Sequence, residues 1–468
     1  MSSQPLPAYL ASARPKTRAE RRPWYLSTAP SYAGVFLWIV YYEAFGNALP
    51  LGGLAGALVG VALTALLSYG LFYLVFGLLG MQTGLPLYVV GSSTFGTRGG
   101  YFIPGVFMGV LQVGWFSVMT YYAARLILLS VGVQPLTPFD ADPGLRGFSL
   151  PFLIVAGVWG YTFALVGALG VEYIAKVGQF LAVAPLAMLA ITASNALPHA
   201  AAGVNHPAWM SAAAPPAWAS ALLIVQLAIG NFATAGTAGV DFGMSNRHRR
   251  DVVLGGAFGI VLPILIAGGL GLITVAGAHG IDPSLPTFTF SSALPVVSPR
   301  LTPIMFLLFA ASTIPSSGIC AFIMGNSLST MIPRLPRLAW TLGGATVGVA
   351  LAVLGLAGNL ESFFGLIGAS FGPVAGAITA DWLLAGRQWA GPRRGVSLPG
   401  YVAWALGFLV GIANNDLIAG LLGRTLLPAW HPTSIYSFGV GFGVYVLLAK
   451  AGLEAEAVPL PQAAGEGA

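Results

Sequence analysis

Residues 252–279 read VVLGGAFGIVLPILIAGGLGLITVAGAH, without one charged side chain. A helix crosses a bilayer with about 20 mostly apolar residues, so this run is long enough to do so. Similar stretches recur from near residue 29 to Lys450. They lack the two-residue alternation of membrane barrel strands. Because only helices and closed barrels satisfy every backbone hydrogen bond in lipid, the sequence predicts an all-α polytopic membrane protein.

The composition of the whole chain agrees with this prediction. Of its 468 residues, 56% are hydrophobic and 7% are charged, and the mean hydropathy is +0.82. Soluble domains carry about 25% charged residues, so this chain needs the lipid bilayer as its partner and solvent. The net charge of +6 does not indicate nucleic-acid binding, because the cations lie in loops between apolar runs, where charges orient membrane proteins.

The apolar runs predict twelve transmembrane helices, flanked by a basic tail over residues 1–28 and a second tail over residues 451–468. Both tails are expected to be disordered, since neither contains a compact apolar run. The helices are expected at about 29–50, 56–80, 103–130, 150–170, 176–194, 217–240, 252–279, 302–326, 337–357, 360–384, 397–420 and 432–450.

The first ten helices divide into two repeats of five, at about 29–194 and 217–384, and helices eleven and twelve follow at about 397–450. Glycine interrupts helix one at Ala33–Gly34 and helix six more densely, from Gly230 through Gly236 and Gly239. Such interruptions in two matching halves mark discontinuous helices around a midplane binding site. Glycine also lets neighbouring helices pack closely, and this alternative stays open.

The loop charges predict the orientation. If the N-terminus is inside, the cytoplasmic loops and tails hold most of the 20 Lys and Arg residues. The exceptions on the outer side are Arg125, Arg146, Arg300 and Arg424. Cytoplasmic loops carry the excess of Lys and Arg. We therefore expect a multi-pass, monomeric protein of the cytoplasmic membrane with both termini in the cytoplasm.

Several classes of function are disfavoured by missing motifs. The single cysteine, Cys320, excludes an internal disulfide, and the five histidines are scattered in or beside loops. The chain has no H-E-x-x-H motif and no phosphate-binding G-x-x-x-x-G-K-[ST] loop. A membrane-embedded enzyme and a nucleotide-driven pump therefore fit poorly, and the tail after Glu454 is too short for the signalling domain of a transport-derived sensor. An amino-acid or polyamine carrier remains an alternative.

Three stretches carry a resemblance to a known family. They are FGTRGGYFIPGVFMGVLQVGWFSVM at 95–119, IGNFATAGTAGVDFG at 229–243 and GNLESFFGLIGASFGPVAGAITADWLL at 358–384. Together they resemble the nucleobase:cation symporter-1 family, and its cytosine-permease branch most closely. The resemblance implies a leucine-transporter-like fold with a five-plus-five inverted repeat and two extra helices. It also implies import of a nucleobase, hydantoin, allantoin, hydroxymethylpyrimidine or related planar heterocycle, coupled to Na⁺ or H⁺.

The resemblance places two aromatic rings around the substrate. Trp115 falls on the family's third-helix tryptophan, and Phe232 falls on a sixth-helix aromatic. In the family these rings hold the flat substrate between them. Stacking a base on an aromatic side chain contributes about 1–3 kcal/mol of binding free energy, and different bases are tolerated. Stacking therefore favours any flat ring over a non-planar ligand. An interfacial anchor for Trp115 and a packing role for Phe232 are the competing interpretations.

Polar groups near these rings are candidates for edge recognition. Gln112 lies three residues before Trp115, so both share a helix face, and Asn231 and Thr234 flank Phe232 with the same spacing. We expect unwound backbone in this part of helix six to offer free N–H and C=O groups. Interhelical hydrogen bonds are the alternative role. The resemblance adds Trp38, Gly230 and Ser317 to the substrate site.

The family's Na⁺ site combines carbonyls at the helix-one break with hydroxyls of helix eight. Oxygen ligands suit a hard cation. Pro315 stands where Na⁺-coupled members have their first hydroxyl residue, which leaves H⁺ coupling open. A shift of one residue would make Ser316 and Ser317 the hydroxyl pair. The ligands implied by the resemblance are Gly34, Leu37, Ser312 and Ser316.

Acidic residues bear on the coupling ion. Glu43 falls inside helix one, and a carboxylate at membrane depth marks a pathway or a proton relay. The alternative is that Glu43 is hydrated near the outer interface. Asp241 and Asp381, at the inner ends of helices six and ten, are expected to make structural pairs near the inner gate. Glu172 and Lys176 are four apart and are expected to pair on one helix face.

Overall fold

The computed structural model of the chain describes residues 6–140, 142–169, 183–204, 218–413, 415–424 and 432–460. The described residues form helices, short helical turns and loops, and no β-strand. Among them, nine helices are long and apolar enough to cross a membrane. The all-α class is confirmed, while the count of twelve spans stays a prediction.

The first half of the chain contains ten α-helices within the described residues. Two π-helical segments, Ser68–Tyr73 and Tyr101–Val106, join neighbouring helices or extend them. The helices are α1 (Ala8–Ala11), α2 (Thr28–Phe36), α3 (Ile39–Tyr42), α4 (Leu49–Leu67), α5 (Leu74–Thr83), α6 (Leu87–Val90), α7 (Ser92–Phe95), α8 (Phe107–Ser130), α9 (Leu150–Leu169) and α10 (Val183–Val204).

The second half begins with the predicted sixth membrane helix. Its helices are α11 (Trp218–Thr237), α12 (Gly239–Gly243), α13 (Arg249–Gly256), α14 (Leu262–Ile281), α15 (Phe290–Val297), α16 (Thr302–Ser312), α17 (Ile314–Met331), α18 (Arg337–Leu354), α19 (Leu360–Leu384), α20 (Leu398–Ile412), α21 (Asp416–Leu422) and α22 (Thr433–Lys450). A π-helical segment, Ala257–Val261, joins α13 to α14.

Helix one is broken, but not at the predicted glycine. α2 runs through Gly34 to Phe36, and the chain leaves helical geometry at Trp38, whose ψ is 139°. The N–H of Tyr41 then bonds to the carbonyl of Trp38 and starts α3. The prediction of a break at Ala33–Gly34 was therefore wrong by about one turn. A glycine permits a break, but the backbone hydrogen bonds of the folded chain decide where it falls.

Helix six is broken inside the predicted Gly230–Gly239 stretch, but at its far end and not between Asn231 and Thr234. α11 is continuous from Trp218 to Thr237, and the turn falls at Ala238 before α12 begins. A Cβ on Gly230 would lie 2.5 Å from the carbonyl oxygen of Phe364, and one on Gly236 would lie 2.8 Å from Phe72. These glycines therefore allow close helix packing, and the backbone between Asn231 and Thr234 is helical rather than unwound.

Other boundaries shift for local reasons. Regular helix in α4 begins only after Gly52 and Gly53, and Gly53 has a φ of 70° that favours glycine. Helix eight divides at Thr313 into α16 and α17 because Pro315 has no N–H for the helix ladder. Helix eleven divides into α20 and α21. Three predicted helices keep their bounds to within one residue, namely α9, α19 and α22. The side chain of Asn359 caps the start of α19.

Helix five ends later than predicted because small residues let it pack along its partner. α10 extends to Val204, and a Cβ on Gly203 would lie 2.0 Å from the carbonyl oxygen of Ala276 in α14. A Cβ on Gly277 of α14 would lie 2.2 Å from the carbonyl oxygen of Ala196. The predicted start at residue 176 and the Glu172–Lys176 pair lie outside the described residues.

The N-terminal segment differs from the expected disordered tail. From residue 6 onward it is folded against the end of the helical bundle, with Tyr9 and Leu10 buried. The Tyr9 hydroxyl donates to the carbonyl of Thr97, and Arg21 Nη1 donates to the carbonyl of Met81. The backbone N–H of Arg22 also donates to the carbonyl of Ser245. Satisfied backbone groups and buried aromatic surface fix a segment that composition alone marks as disordered.

The second tail is folded up to residue 460 and lies on the same end of the bundle. The N–H of Arg394 bonds to the carbonyl of Glu456, and the N–H of Val458 bonds to the carbonyl of Pro392. Both described chain ends therefore share one face, which we call the terminal face. Asp241 lies near this face and accepts a hydrogen bond from the N–H of Leu87 (2.9 Å) rather than pairing with a loop cation.

Candidate functional site

Trp115 lies in α8 with an aromatic wall around it. Its indole contacts the ring of Phe363 edge-on, with centroids 5.2 Å apart, and the ring of Phe364 at 5.7 Å and 33°. The indole is buried, with 5% of the residue exposed, so the interfacial-anchor interpretation does not fit. Its N–H donates to Thr234 Oγ1 in α11 (3.2 Å). Trp115 therefore connects α8, α11 and α19.

Phe232 belongs to a different aromatic group. Its ring packs on Phe36 at 5.4 Å and on Tyr32 at 5.7 Å, both from α2. No ring contact joins Phe232 to Trp115 among the described residues. The structure thus places the two predicted stacking rings on neighbouring elements, with Phe232 against the first half of helix one and Trp115 against helix ten.

Two side-chain amides lie beside these rings. Asn231 is buried, and its Nδ2 has no hydrogen-bond partner among the described residues. Gln112 is also buried, and its Nε2 lies 3.5 Å from the sulfur of Met108, which is a weak acceptor. A buried amide without a strong partner costs about 1–3 kcal/mol. Both amides therefore have unused capacity to bind a polar ligand.

Sequence reasoning missed the two phenylalanines of α19. Phe363 and Phe364 lie in the stretch that carries the family resemblance, but their spacing alone does not distinguish a binding-site wall from core packing. Only the fold brings them to Trp115. Of the remaining predicted substrate residues, Gly230 packs on the backbone of Phe364. Trp38, half-buried, forms the break of helix one.

The predicted cation ligands fall on two broken helices. Gly34 lies inside α2, and Leu37 lies at its end, next to the break. In helix eight the Ser312 hydroxyl donates to the carbonyl of Phe309 (2.6 Å). The hydroxyls of Ser316 and Ser317 are buried and have no partner among the described residues. The hydroxyl oxygens of these two serines are suitable ligands for a hard cation. They are the pair expected if the alignment of helix eight is shifted by one residue.

Glu43 is buried inside the helical bundle. It follows α3 with 2% of the residue exposed. Its carboxylate accepts hydrogen bonds from the N–H (2.9 Å) and from the hydroxyl of Ser291 in α15. The carbonyl of Glu43 also accepts from the N–H of Phe290 (3.0 Å). Glu43 thus fastens the second part of helix one to the short helix α15 that precedes helix eight.

Discontinuous helices that bring aromatic rings and unpaired buried polar groups to one region are typical of a membrane carrier. The comparisons with known proteins define the class further. A family model described as a permease for cytosine/purines, uracil, thiamine and allantoin matches residues 15–441. The chain belongs to this family of transporters, and the resemblance read from its sequence is confirmed.

Curated relatives are distant in sequence. The chain is 23% identical over 323 residues to a cytosine permease of Escherichia coli strain K12, covering 69% of each protein. It is 23% identical over 406 residues to a putative allantoin permease of the same strain, covering 80% of this chain and 81% of the relative.

Solved structures show the same fold. Mhp1, a nucleobase-cation-symport-1 family transporter in a closed conformation with bromovinylhydantoin bound, has a TM-score of 0.67 at 18% identity, covering 96% of this chain and 97% of Mhp1. The inward-facing conformation of Mhp1 has a TM-score of 0.64 at 18% identity, with 98% and 97% covered. A manganese transporter of Eremococcus coleocola follows at 0.51 and 14% identity, with 96% and 98% covered.

Proposed function

We propose that this protein is a secondary transporter that carries a nucleobase-like planar heterocycle across the membrane, coupled to a cation. The ring binds where α8, α11 and α19 meet, near Trp115 and Asn231. Family membership supports the transport class, and two relatives are named for cytosine and allantoin, which are small rings rich in hydrogen-bonding edges.

The observation that carries the proposal is the unpaired amide of Asn231. Its Nδ2 is buried without a partner among the described residues, on the same helix as Phe232 and within one turn of Thr234. A folded protein rarely leaves such a donor unused. A ring nitrogen or carbonyl oxygen of a bound heterocycle would accept from it.

Stacking supplies the second part of binding. The indole of Trp115 is the stacking surface in this proposal, whereas Phe232 packs on Tyr32 and Phe36 of helix one. Each stacked base gains about 1–3 kcal/mol, while the amides of Asn231 and Gln112 select among flat rings through their edges. This division explains how one fold could serve several heterocycles.

The coupling cation is Na⁺ in our proposal, with H⁺ as the alternative. Support for Na⁺ comes from the buried, unpaired hydroxyls of Ser316 and Ser317, which are oxygen donors at the break of helix eight. The carbonyl of Leu37, next to the break of helix one, and the carbonyl of Gly34, inside α2, complete the proposed set. Support for H⁺ comes from the buried carboxylate of Glu43.

A binding screen tests the proposal. Purified protein is heated with cytosine, adenine, uracil, hydantoin, allantoin or hydroxymethylpyrimidine, with Na⁺ or with K⁺, because a ligand that binds the folded state raises its apparent stability. We expect at least one ring to raise the melting temperature of the wild type and of Trp159→Ala, a control in α9. Trp115→Ala should lose the effect while still inserting and folding. Stabilisation by leucine or putrescine instead of any ring would favour an amino-acid or polyamine carrier.

A further inference from the structure

The hydrogen bond from the Trp115 indole to Thr234 is the polar contact that ties the proposed stacking ring to helix six. Trp115 Nε1 lies 3.2 Å from Thr234 Oγ1, and the residues are 5% and 4% exposed. We propose that Thr234 is a positioning residue, whose hydroxyl fixes the orientation of the Trp115 indole for ring stacking. This inference rests on the proposed function and assigns Thr234 a role through Trp115 rather than at the edge of the substrate.

The contacts around the indole explain why one hydrogen bond matters. Phe363 touches it edge-on, at 88°, and Phe364 touches it at 33°. Such contacts depend on the plane of the indole, and turning the ring over within the same plane would leave that plane unchanged. The N–H has one direction, and a buried indole N–H needs an acceptor. Turning the indole over would move its N–H away from Thr234 and leave it unpaired.

Thr234 is itself held in place. It lies in the continuous helix α11 rather than in unwound backbone, and its carbonyl accepts a hydrogen bond from the hydroxyl of Thr237 (2.9 Å). A threonine in a helix is confined to two χ1 rotamers, and the hydrogen bond from Trp115 selects the one in which Oγ1 faces the indole. Thr234 Oγ1 is therefore a fixed acceptor, and the face of the indole that meets a substrate is set by helix six.

The positioning role and a direct substrate contact predict different results in a double-mutant cycle. Thr234→Val removes the acceptor and keeps the shape, while Trp115→Phe keeps a stacking ring and removes the indole N–H. Thr234→Val alone should weaken ring binding about 2- to 10-fold, without changing the order of preference among rings. In the Trp115→Phe background, Thr234→Val should change affinity no further. Additive losses, or a changed order of preference, would show that Thr234 touches the substrate and would overturn the inference.

A second readout needs no substrate. Protein labelled with 5-fluorotryptophan gives one ¹⁹F resonance for each indole, and the Trp115 resonance is assigned by its loss in Trp115→Phe. We expect Thr234→Val to broaden or split this resonance, and Thr234→Ser, which keeps the hydroxyl, to restore a single line. An unchanged Trp115 resonance in Thr234→Val would refute the positioning role even if ring binding is normal. If no ring binds the wild type, the proposed function fails while this measurement still decides the role of Thr234.

Discussion

The guanidinium of Arg393 lies 2.6 Å from the carboxylate of Asp381, in a buried pair that closes the terminal face. Asp381 also accepts hydrogen bonds from the hydroxyls of Ser93 and Thr94. Arg393 reaches on to Glu454 at 2.9 Å. The pair thus ties the end of α19 to α7 and to the folded C-terminal segment. This agrees with the expectation that Asp381 has a structural rather than a substrate-binding role.

Breaking this pair should destabilise the fold. Asp381→Ala leaves a buried guanidinium without its main partner, and such changes cost about 3–5 kcal/mol. We expect a large fall in the melting temperature in detergent. Arg394→Ala is the matched control, because its pair with Glu456 is 4.0 Å long and exposed, and exposed pairs contribute about 0–1 kcal/mol. An equal loss of stability in both variants would contradict the larger contribution expected of the buried pair.

Ring preference should depend on Asn231. Asn231→Ala removes the unpaired amide and leaves Trp115 in place, so competition assays should show a changed order of preference among cytosine, hydantoin and allantoin. The affinity for the preferred ring should fall by about 1–3 kcal/mol. The control is Gln226→Ala on the same helix, since Gln226 Oε1 already accepts from the N–H of Thr433 (2.6 Å). An unchanged ranking in Asn231→Ala would argue against ligand contact.

The Na⁺ proposal predicts a specific loss in helix eight. Replacing Na⁺ by K⁺ at fixed pH should weaken ring binding by the wild type about 5- to 150-fold, the range of a coupling free energy of about 1–3 kcal/mol. The double variant Ser316→Ala, Ser317→Ala should lose this Na⁺ effect. Ser370→Ala should keep it, because the Ser370 hydroxyl is satisfied by the carbonyl of Leu366 (2.6 Å). A Na⁺ effect that survives in the double variant would place the cation elsewhere.

The H⁺ alternative predicts a different outcome at Glu43. A glutamine can keep hydrogen bonds to Ser291, but it cannot release a proton. Under H⁺ coupling, uptake into vesicles driven by an acidic exterior should fail in Glu43→Gln and persist in Ser291→Ala, which keeps the carboxylate. Under Na⁺ coupling, Na⁺-driven uptake should persist in Glu43→Gln. Loss of Na⁺-driven uptake in that variant would show that the charge itself is needed.

The sequence by itself determined the class of this protein. Long uncharged runs and a charged fraction of 7% leave few folding solutions besides a helical bundle in lipid, and the resemblance in three stretches identified the family that the comparisons show. Where a residue in the sequence caps α19, the predicted start of that helix was correct. Asn359 caps α19 at the predicted position, because a capping side chain acts on the N–H groups of its own first turn.

Only the tertiary structure decided where the broken helices turn and which polar groups remain unpaired. The break in helix one was expected at Ala33–Gly34 but falls at Trp38. Helix six was expected to unwind between Asn231 and Thr234 but turns at Ala238, at the far end of the predicted Gly230–Gly239 stretch. The reason is that a glycine allows both a break and a close approach, and its neighbours in space select one. Likewise, Asn231 and Thr234 look equivalent in the sequence. Across the helix interface one is left without a partner and the other receives the Trp115 indole N–H, since pairing depends on the helix that packs opposite.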